Sequence, residues 1–321
     1  MSSIKKAWKR LLIVTLSSTI THSSYTFKDE VDISVYGNKY LATMKDECTV
    51  EISNLTYDII LDIINNKYYN IKIEAAYEGN NLITVFEGAV LYISNKKNDH
   101  NTSTCIILCS NKIVAQYGQS KMNLSLNSNI NMYSAINYIV RSAGVKNANV
   151  SEELKKVLIK NAYSNTQNLG DWINSLSSLD SNILSSADQI DGNSILNIWN
   201  KNYSQRGKIK LDSSNILAIS GYPRLSTSGI VVTVLPTYSF KIGDVIELDN
   251  SILDKSITNK EDVFKNINIQ ENNEGAKDGS SFGQYILYQM SFSLTNRDYD
   301  FQIELYLKNR SLYSSLVKGG E

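Results

Sequence analysis

Residues 216–248 read ILAISGYPRLSTSGIVVTVLPTYSFKIGDVIEL, and their punctuation decides how the C-terminal third of the chain is built. Gly221-Tyr222-Pro223 ends one strand, and Gly229 turns the chain into an apolar strand, Gly229 to Leu235. Pro236 stops that strand, because proline has no N–H to give to a ladder. Ile242-Gly243-Asp244 is a tight turn into the next strand, with Gly243 free to take a positive φ. A polar stretch, 257–281, lacks a core pattern and reads as a long loop. Two further strands follow, GQYILYQMSFSL and DFQIELYLK, linked by Asn296-Arg297-Asp298.

Working outward, residues 8–117 also read as a string of strands. The segments are RLLIVTLSS, YTFKDEVDISVYG, ECTVEISNL, YYNIKIEAAY, ITVFEGAVLYISNK and TSTCIILCS, with IVAQYG as a further strand. Period-two alternation in Thr49–Ser53 and Asn70–Glu74 buries one face of each. Thr56 to Asn65, TYDIILDIIN, has helical spacing and makes one short helix among them. Residues 118–204 differ. Tyr133 to Ala143 is a helix stopped by Gly144, and Ser151 opens another as N-cap with acids in its first turn. Leu169 to Leu179 places Leu169, Trp172, Ile173, Leu176 and Leu179 on one face, and a hairpin through Asp191-Gly192 follows. The expected fold is α+β, mostly β: two small split β-barrel modules, 1–117 and 205–321, flanking a mixed α+β module, 118–204.

Composition excludes more than it assigns. Lys+Arg and Asp+Glu both total 32, so no basic excess grips nucleic acid. Three cysteines, Cys48, Cys105 and Cys109, make an odd set with no C-x-x-C pair, which points to a reduced compartment and buried small side chains. Cys105 and Cys109 fall on one face of a strand. The apolar stretch Leu11 to Leu16 is shorter than the ~7–15 residues of a signal-peptide core and becomes the first strand, Arg10 to Ser18. No run approaches the ~18 apolar residues of a membrane span, so a soluble chain is expected. Twenty Tyr against seven Phe suit half-wet strand faces and interfaces.

A catalytic reading finds little support. His22 and His100 are the two histidines, and neither lies in a nucleophile or zinc motif. There is no glycine-rich phosphate loop and no clustered set of metal ligands. Asp29, Glu30 and Asp32 read as a solvated strand face, and Asp278-Gly279 lacks the rest of a calcium loop. Trp172 and Trp199, which could stack on sugars, sit in core-like patterns. The expectation is no enzyme, with no catalytic, cofactor-binding or metal residue and no cofactor.

The arrangement at 216–248, followed by a long loop, a strand carrying a Tyr and a last strand, resembles the C-terminal barrel of phage tail baseplate hub proteins. Val50 to Leu55, VEISNL, Thr84 to Gly88, TVFEG, and the helix Leu169–Leu179 followed by Gly192 resemble segments of the same family in the other two modules. The resemblance implies a trimeric hub of contractile-tailed phages. In it, two barrels per subunit form a pseudo-sixfold ring that adapts the tail tube to the central spike and leaves a channel for DNA. Its implied partners are further copies of itself, a tail tube protein, a spike protein and a tape-measure protein, with DNA only in passage. Its implied place is the virion baseplate, after assembly in the host cytoplasm. The alternatives are another tail component, a distal tail or tube-initiator protein, and a cell-envelope carbohydrate-binding or hydrolytic protein.

Overall fold

The structure, a computed structural model, describes residues 9–41, 46–98, 102–117, 120–180, 183–190, 193–200, 207–211, 224–226, 229–249 and 281–309. The N-terminal part runs β1 (Arg10–Ser17), β2 (Ser24–Phe27), β3 (Ile33–Tyr40), β4 (Glu47–Ser53), α1 (Tyr57–Asn65), β5 (Asn70–Tyr77), β6 (Ile83–Lys97) and β7 (Ser103–Ser110). The middle part runs α2 (Lys112–Tyr117), β8 (Met122–Leu126), β9 (Ile130–Asn131), α3 (Met132–Ser142), β10 (Ala148–Val150), a 3-10 turn (Glu152–Lys156), β11 (Leu158–Ile159), β12 (Tyr163–Gln167), α4 (Leu169–Leu179), β13 (Ile183–Ile190) and β14 (Asn193–Asn200). The C-terminal part holds β15 (Lys208–Leu211), β16 (Arg224–Ser226), β17 (Gly229–Val234), β18 (Val245–Asp249), β19 (Ser281–Thr295) and β20 (Phe301–Asn309).

The fold is α+β and mostly β, as the alternation predicts. Burial follows the period of two: Leu12, Val14 and Leu16 of β1 are buried, as are Val50 and Ile52 of β4 and Ile71 and Ile73 of β5. The helices are placed by their caps. Thr56, Asn131 and Asn168 each accept a backbone N–H in the first turn of α1, α3 and α4. Gly144, just past α3, has φ +76°, and Gly243 has φ +90°, the left-handed values the sequence calls for at both positions. The expected hairpin is β13–β14, which pair antiparallel from Ile183–Asn200 to Ile190–Asn193.

Several local expectations need correcting. The segment read as one strand, YTFKDEVDISVYG, is two, because the Val31 N–H bonds back to the Lys28 carbonyl at 3.1 Å and makes a turn. Asp29 and Glu30 therefore lie on that turn rather than on a strand face. IVAQYG is not a strand, since residues 112–117 form α2. Asn111, at 2 % exposure, accepts the Ile113 N–H with its Oδ1 at 2.8 Å and nucleates a helical turn, overriding β-propensity. Ser151 opens a 3-10 turn and its side chain makes no cap bond, so the α-helix expected there does not propagate. The strand read at 215–223, the turn at 191–192 and residues 257–280 of the polar stretch lie outside the described residues, and Ser281 opens β19.

The N- and C-terminal strands belong to a single sheet, thirteen-stranded among the described residues. Its path is β16-β17-β20-β19-β3-β4-β7-β6-β5-β1-β2, with β18 and β15 branching from β19. The crossing point is the antiparallel pair β3–β19, from Ser34–Thr295 to Tyr40–Gln289. One buried cluster spans both halves, running from Leu12 to Leu307 and taking in Leu184 and Trp199. A second, from Ile113 to Ile198, lies around α3 and α4, with Trp172 fully buried in it.

The two halves repeat one plan that no sequence period betrays. β3-β4-β7-β6-β5 and β16-β17-β20-β19-β18 have the same order and the same antiparallel sense. Both are built on a 15-residue strand, β6 or β19, interrupted by a bulge. In β6 the register skips Leu91, and in β19 it skips Tyr288. The registers then coincide. Cys48 stands between Gly37 and Cys109 in the first half, as Ile230 stands between Leu225 and Leu307 in the second.

At the crossing, the ring of Phe292 lies over Gly37. A Cβ there would overlap the ring and approach the Glu47 carbonyl to 2.7 Å, so the strand needs glycine at this close approach. Overpacking a core typically costs about 1–3 kcal/mol. Gly37→Ala is accordingly expected to lower stability by that amount in urea unfolding followed by circular dichroism. Gly79→Ala, with nothing within 4 Å of its new Cβ but φ +91°, provides a control for backbone strain alone.

Candidate functional site

Most residues singled out for chemistry are removed from it by burial. Cys48, Cys105 and Cys109 are free thiols in the core. Burial pushes Cys48 and Cys109 well above the ordinary thiol range and Cys105 up to about 11, so none is a thiolate at neutral pH. Trp172 and Trp199 are both buried, and Trp172 is held edge-on to Tyr163 at 5.3 Å. Neither offers a face to a sugar. His22 is exposed at positive φ in the β1–β2 turn. His100 and Asp278-Gly279 lie outside the described residues. Among the described residues no group of three or more His, Cys, Asp or Glu could hold a metal ion, and no helix is long and apolar enough to cross a membrane.

What the fold does assemble is the joint between the two strand modules, and three sets of contacts build it. The first is the β3–β19 ladder, extended by a side-chain bond from Ser291 Oγ to Asn38 Oδ1 at 2.6 Å. The second is the β19–β20 turn. Asn296 accepts the Ile33 N–H at 2.9 Å and donates to the Val31 carbonyl at 2.7 Å, imitating one more rung of the ladder. The third is Arg10 of β1, which donates to the carbonyls of Asp298 and Tyr299 and lies 5.4 Å from the centre of the Phe301 ring.

The outward face across this joint has a consistent chemistry. Alternation puts Ile33, Val35 and Gly37 inward and Ser34, Tyr36 and Asn38 outward on β3. The cross-strand row through Asn38 joins Glu47, Ser291 and Glu304, and the next joins Thr49, Tyr36, Ser293 and Gln302. Glu51 stands opposite Ser34 in the row after that. The side chains are polar or acidic, with the ring of Tyr36 among them. Lys308, on the same face at the far end of β20, has its ammonium 4.3 Å from the centre of the Tyr288 ring.

Behind the joint, where the middle module meets the strand modules, is a small polar cavity lined by Lys39, Asp46, Glu87, Asn111, Asp188 and Lys241 among others. Asp46 Oδ1 accepts the Tyr40 N–H at 3.1 Å, and its Oδ2 accepts from Asn111 Nδ2 at 3.4 Å. The same amide nitrogen of Asn111 reaches the Ala187 carbonyl on β13 at 3.0 Å, so one side chain ties the middle module to the N-terminal strand module. Burial drives the Asp46 carboxyl up to about 6, and Asp188 adds to the rise. The charge of Lys39 and the bonds from Tyr40 and Asn111 oppose it. Lys39, partly buried, is lowered by the loss of solvent.

No protein-family model matches the chain, and no curated protein matches its sequence. Solved structures do. A tail protein from Neisseria meningitidis MC58 is 9% identical, with 96% of this chain and 98% of that chain covered and a TM-score of 0.56. The 43 kDa tail protein of prophage MuSo2 from Shewanella oneidensis is 8% identical over 95% and 98% of the two chains, with a TM-score of 0.55. This chain has a phage tail-protein fold. The tail-protein fold extends to a secretion machine. The c3393 protein of E. coli, a type VI secretion component described as structurally similar to the T4 tail proteins gp27 and gp5, is 9% identical. It is covered over 74% of its length by 87% of this chain, with a TM-score of 0.54. At such identity the likeness is one of fold, and it falls on the family that the motifs of 216–248 resemble.

The seam behind the joint has a pH signature. The folded-state pKa of Asp46 lies above its ordinary 3.8, so the fold binds this proton more tightly than the unfolded chain does. The stability contributed by protonation is full below about 3.8 and is lost as pH rises through about 6. Relative to Asp46→Asn, the wild-type chain should gain about 1 kcal/mol between pH 7 and pH 5. Paired urea melts at the two pH values read this, and parallel curves for the two proteins would contradict it.

Proposed function

We propose that the chain is a non-catalytic structural subunit of a phage tail baseplate: a hub whose three copies form a pseudo-sixfold ring between the tail tube and the central spike. The observation that carries this reading is the internal duplication joined through one sheet. Two five-strand units of the same plan stand side by side, related by the β3–β19 pairing. A subunit with two equivalent units presents six to a ring while keeping three copies. A tube with sixfold symmetry and a spike with threefold symmetry both find a match in such a ring. The tail-protein likeness of its structural neighbours supports the setting.

The polar face across the joint suits the lining of a DNA channel. A duplex carries a negative charge about every 1.7 Å of its axis and sticks to clustered cations through counterion release. Glu47, Glu51 and Glu304 among serines, threonines, amides and Tyr36 provide no such grip. In this reading the partners are further copies of the chain, a tube protein, a spike protein and a tape-measure protein, and DNA passes without being held. The place is the virion baseplate, after assembly in the host cytoplasm.

Solution mass separates the candidates. A ring three times the mass of one chain, with a central opening in electron micrographs, is the expected result. A sixfold ring would instead mark a tube or distal tail protein, and a monomer that cleaves peptidoglycan would overturn the structural reading altogether. The channel chemistry has its own test. Wild-type protein should leave a DNA duplex unshifted at ~0.1 M salt, whereas Ser291→Lys with Ser293→Lys should bind it and release it steeply as salt rises.

A further inference from the structure

The edge of β19 that receives β3 has a counterpart in the first module, and there no strand occupies it among the described residues. β6 pairs with β5 through Ile83–Ala89 and with β7 through Ala89–Lys97. Beyond Ala89, the side of β6 away from β7 has no strand partner among the described residues. Leu91 and Tyr92, at the bulge where this edge begins, are 58 % and 59 % exposed, and residues 95–98 are exposed as well. At the opposite end of the sheet, β16 pairs with β17 and ends the path. Among the described residues, each copy thus carries one acceptor edge with no strand on it and one terminal strand of the kind that fills it.

The duplication says how the two should meet. Through the bulges at Leu91 and Tyr288, Ser94, Asn95 and Lys96 occupy the places of Ser291, Phe292 and Ser293. Through β4 and β17, Arg224, Leu225 and Ser226 occupy the places of Tyr36, Gly37 and Asn38. Within the chain, Tyr36 pairs with Ser293, Gly37 with Phe292 and Asn38 with Ser291. We infer that β16 of a second copy of this chain adds to this edge of β6, with Ser226 opposite Ser94, Leu225 opposite Asn95 and Arg224 opposite Lys96. The contact is heterologous, head to tail, and repeated it either closes into a ring or runs on as a filament. It rests on the ring proposed above and names the strands that close it. Closure would also cover two edges that carry no strand among the described residues, and exposed edges template aggregation.

This register puts two cations across from one another, and like charges directly opposite in a ladder are destabilising. That gives a test no general stickiness would mimic. In the full-length chain, Ser94→Cys with Ser226→Cys should cross-link on mild oxidation into covalent multimers up to a trimer, reversed by reductant, while each single substitution should not. The native cysteines are buried and stay out of the reaction. Lys96→Glu alone should tighten association about fivefold, and adding Arg224→Glu should return it to the wild-type level. A trimer by mass in which the cysteine pair never cross-links and Lys96→Glu brings no gain overturns this interface and leaves the hub intact. A chain that stays monomeric overturns both.

Discussion

Seven backbone pairs between β3 and β19, from Ser34–Thr295 to Tyr40–Gln289, hold together strands from opposite ends of the chain. Without them the sheet would fall into two smaller ones, each with a long open edge, and the buried cluster that runs from Leu12 to Leu307 would be cut. Gly37 makes the approach feasible, because a side chain there would meet Phe292 and the Glu47 carbonyl. Asn296 and Arg10 then fasten the ends, both through main-chain carbonyls, so the fastening depends on backbone positions rather than on a matching charge. Pairing at this sequence separation carries the loop-closure entropy of the whole intervening chain.

The middle module is attached to this frame by polar contacts and by two apolar side chains. Asn111 caps α2, bonds Asp46 and reaches the Ala187 carbonyl, while Leu184 and Trp199 of the β13–β14 hairpin dip into the larger core. The burial of Asp46 that these contacts bring is unfavourable to its charge, and Lys39 and two hydrogen bonds offset that only in part. A seam of this kind specifies how modules sit more than it stabilises them.

In the proposed ring the same joint does two things at once. It sets the spacing of two equivalent units, and it presents a continuous outward face whose residues come from both halves: Asn38 and Glu47 from one, Ser291 and Glu304 from the other. The zero net charge of the chain has no bearing on that face by itself. For the polyanion of the proposed channel, what matters is that carboxylates stand there among uncharged polar side chains and Tyr36, and that the lysine at its margin lies against an aromatic ring.

The local pattern of the chain carried the longer strands of the two outer modules and the β13–β14 hairpin, the helices α1, α3 and α4, and the positive φ of Gly144 and Gly243, because alternation, N-cap residues and glycine act over a few residues. The short strands β8–β12, β15 and β16 carry too few alternating positions to be read. It also pointed to a tail-hub resemblance through 216–248. It misread α2, where Asn111 overrides an apolar run, and joined β2 to β3, where a backbone turn with no glycine or proline signal intervenes. The duplication was invisible in sequence, since Cys48 corresponds to Ile230 and Gly37 to Leu225, and a sheet asks for inward apolar positions rather than particular residues. The joint lay beyond sequence altogether. A strand's edge bonds through backbone groups that every residue shares, so which strand fills it is decided only when tertiary packing brings β3 alongside β19.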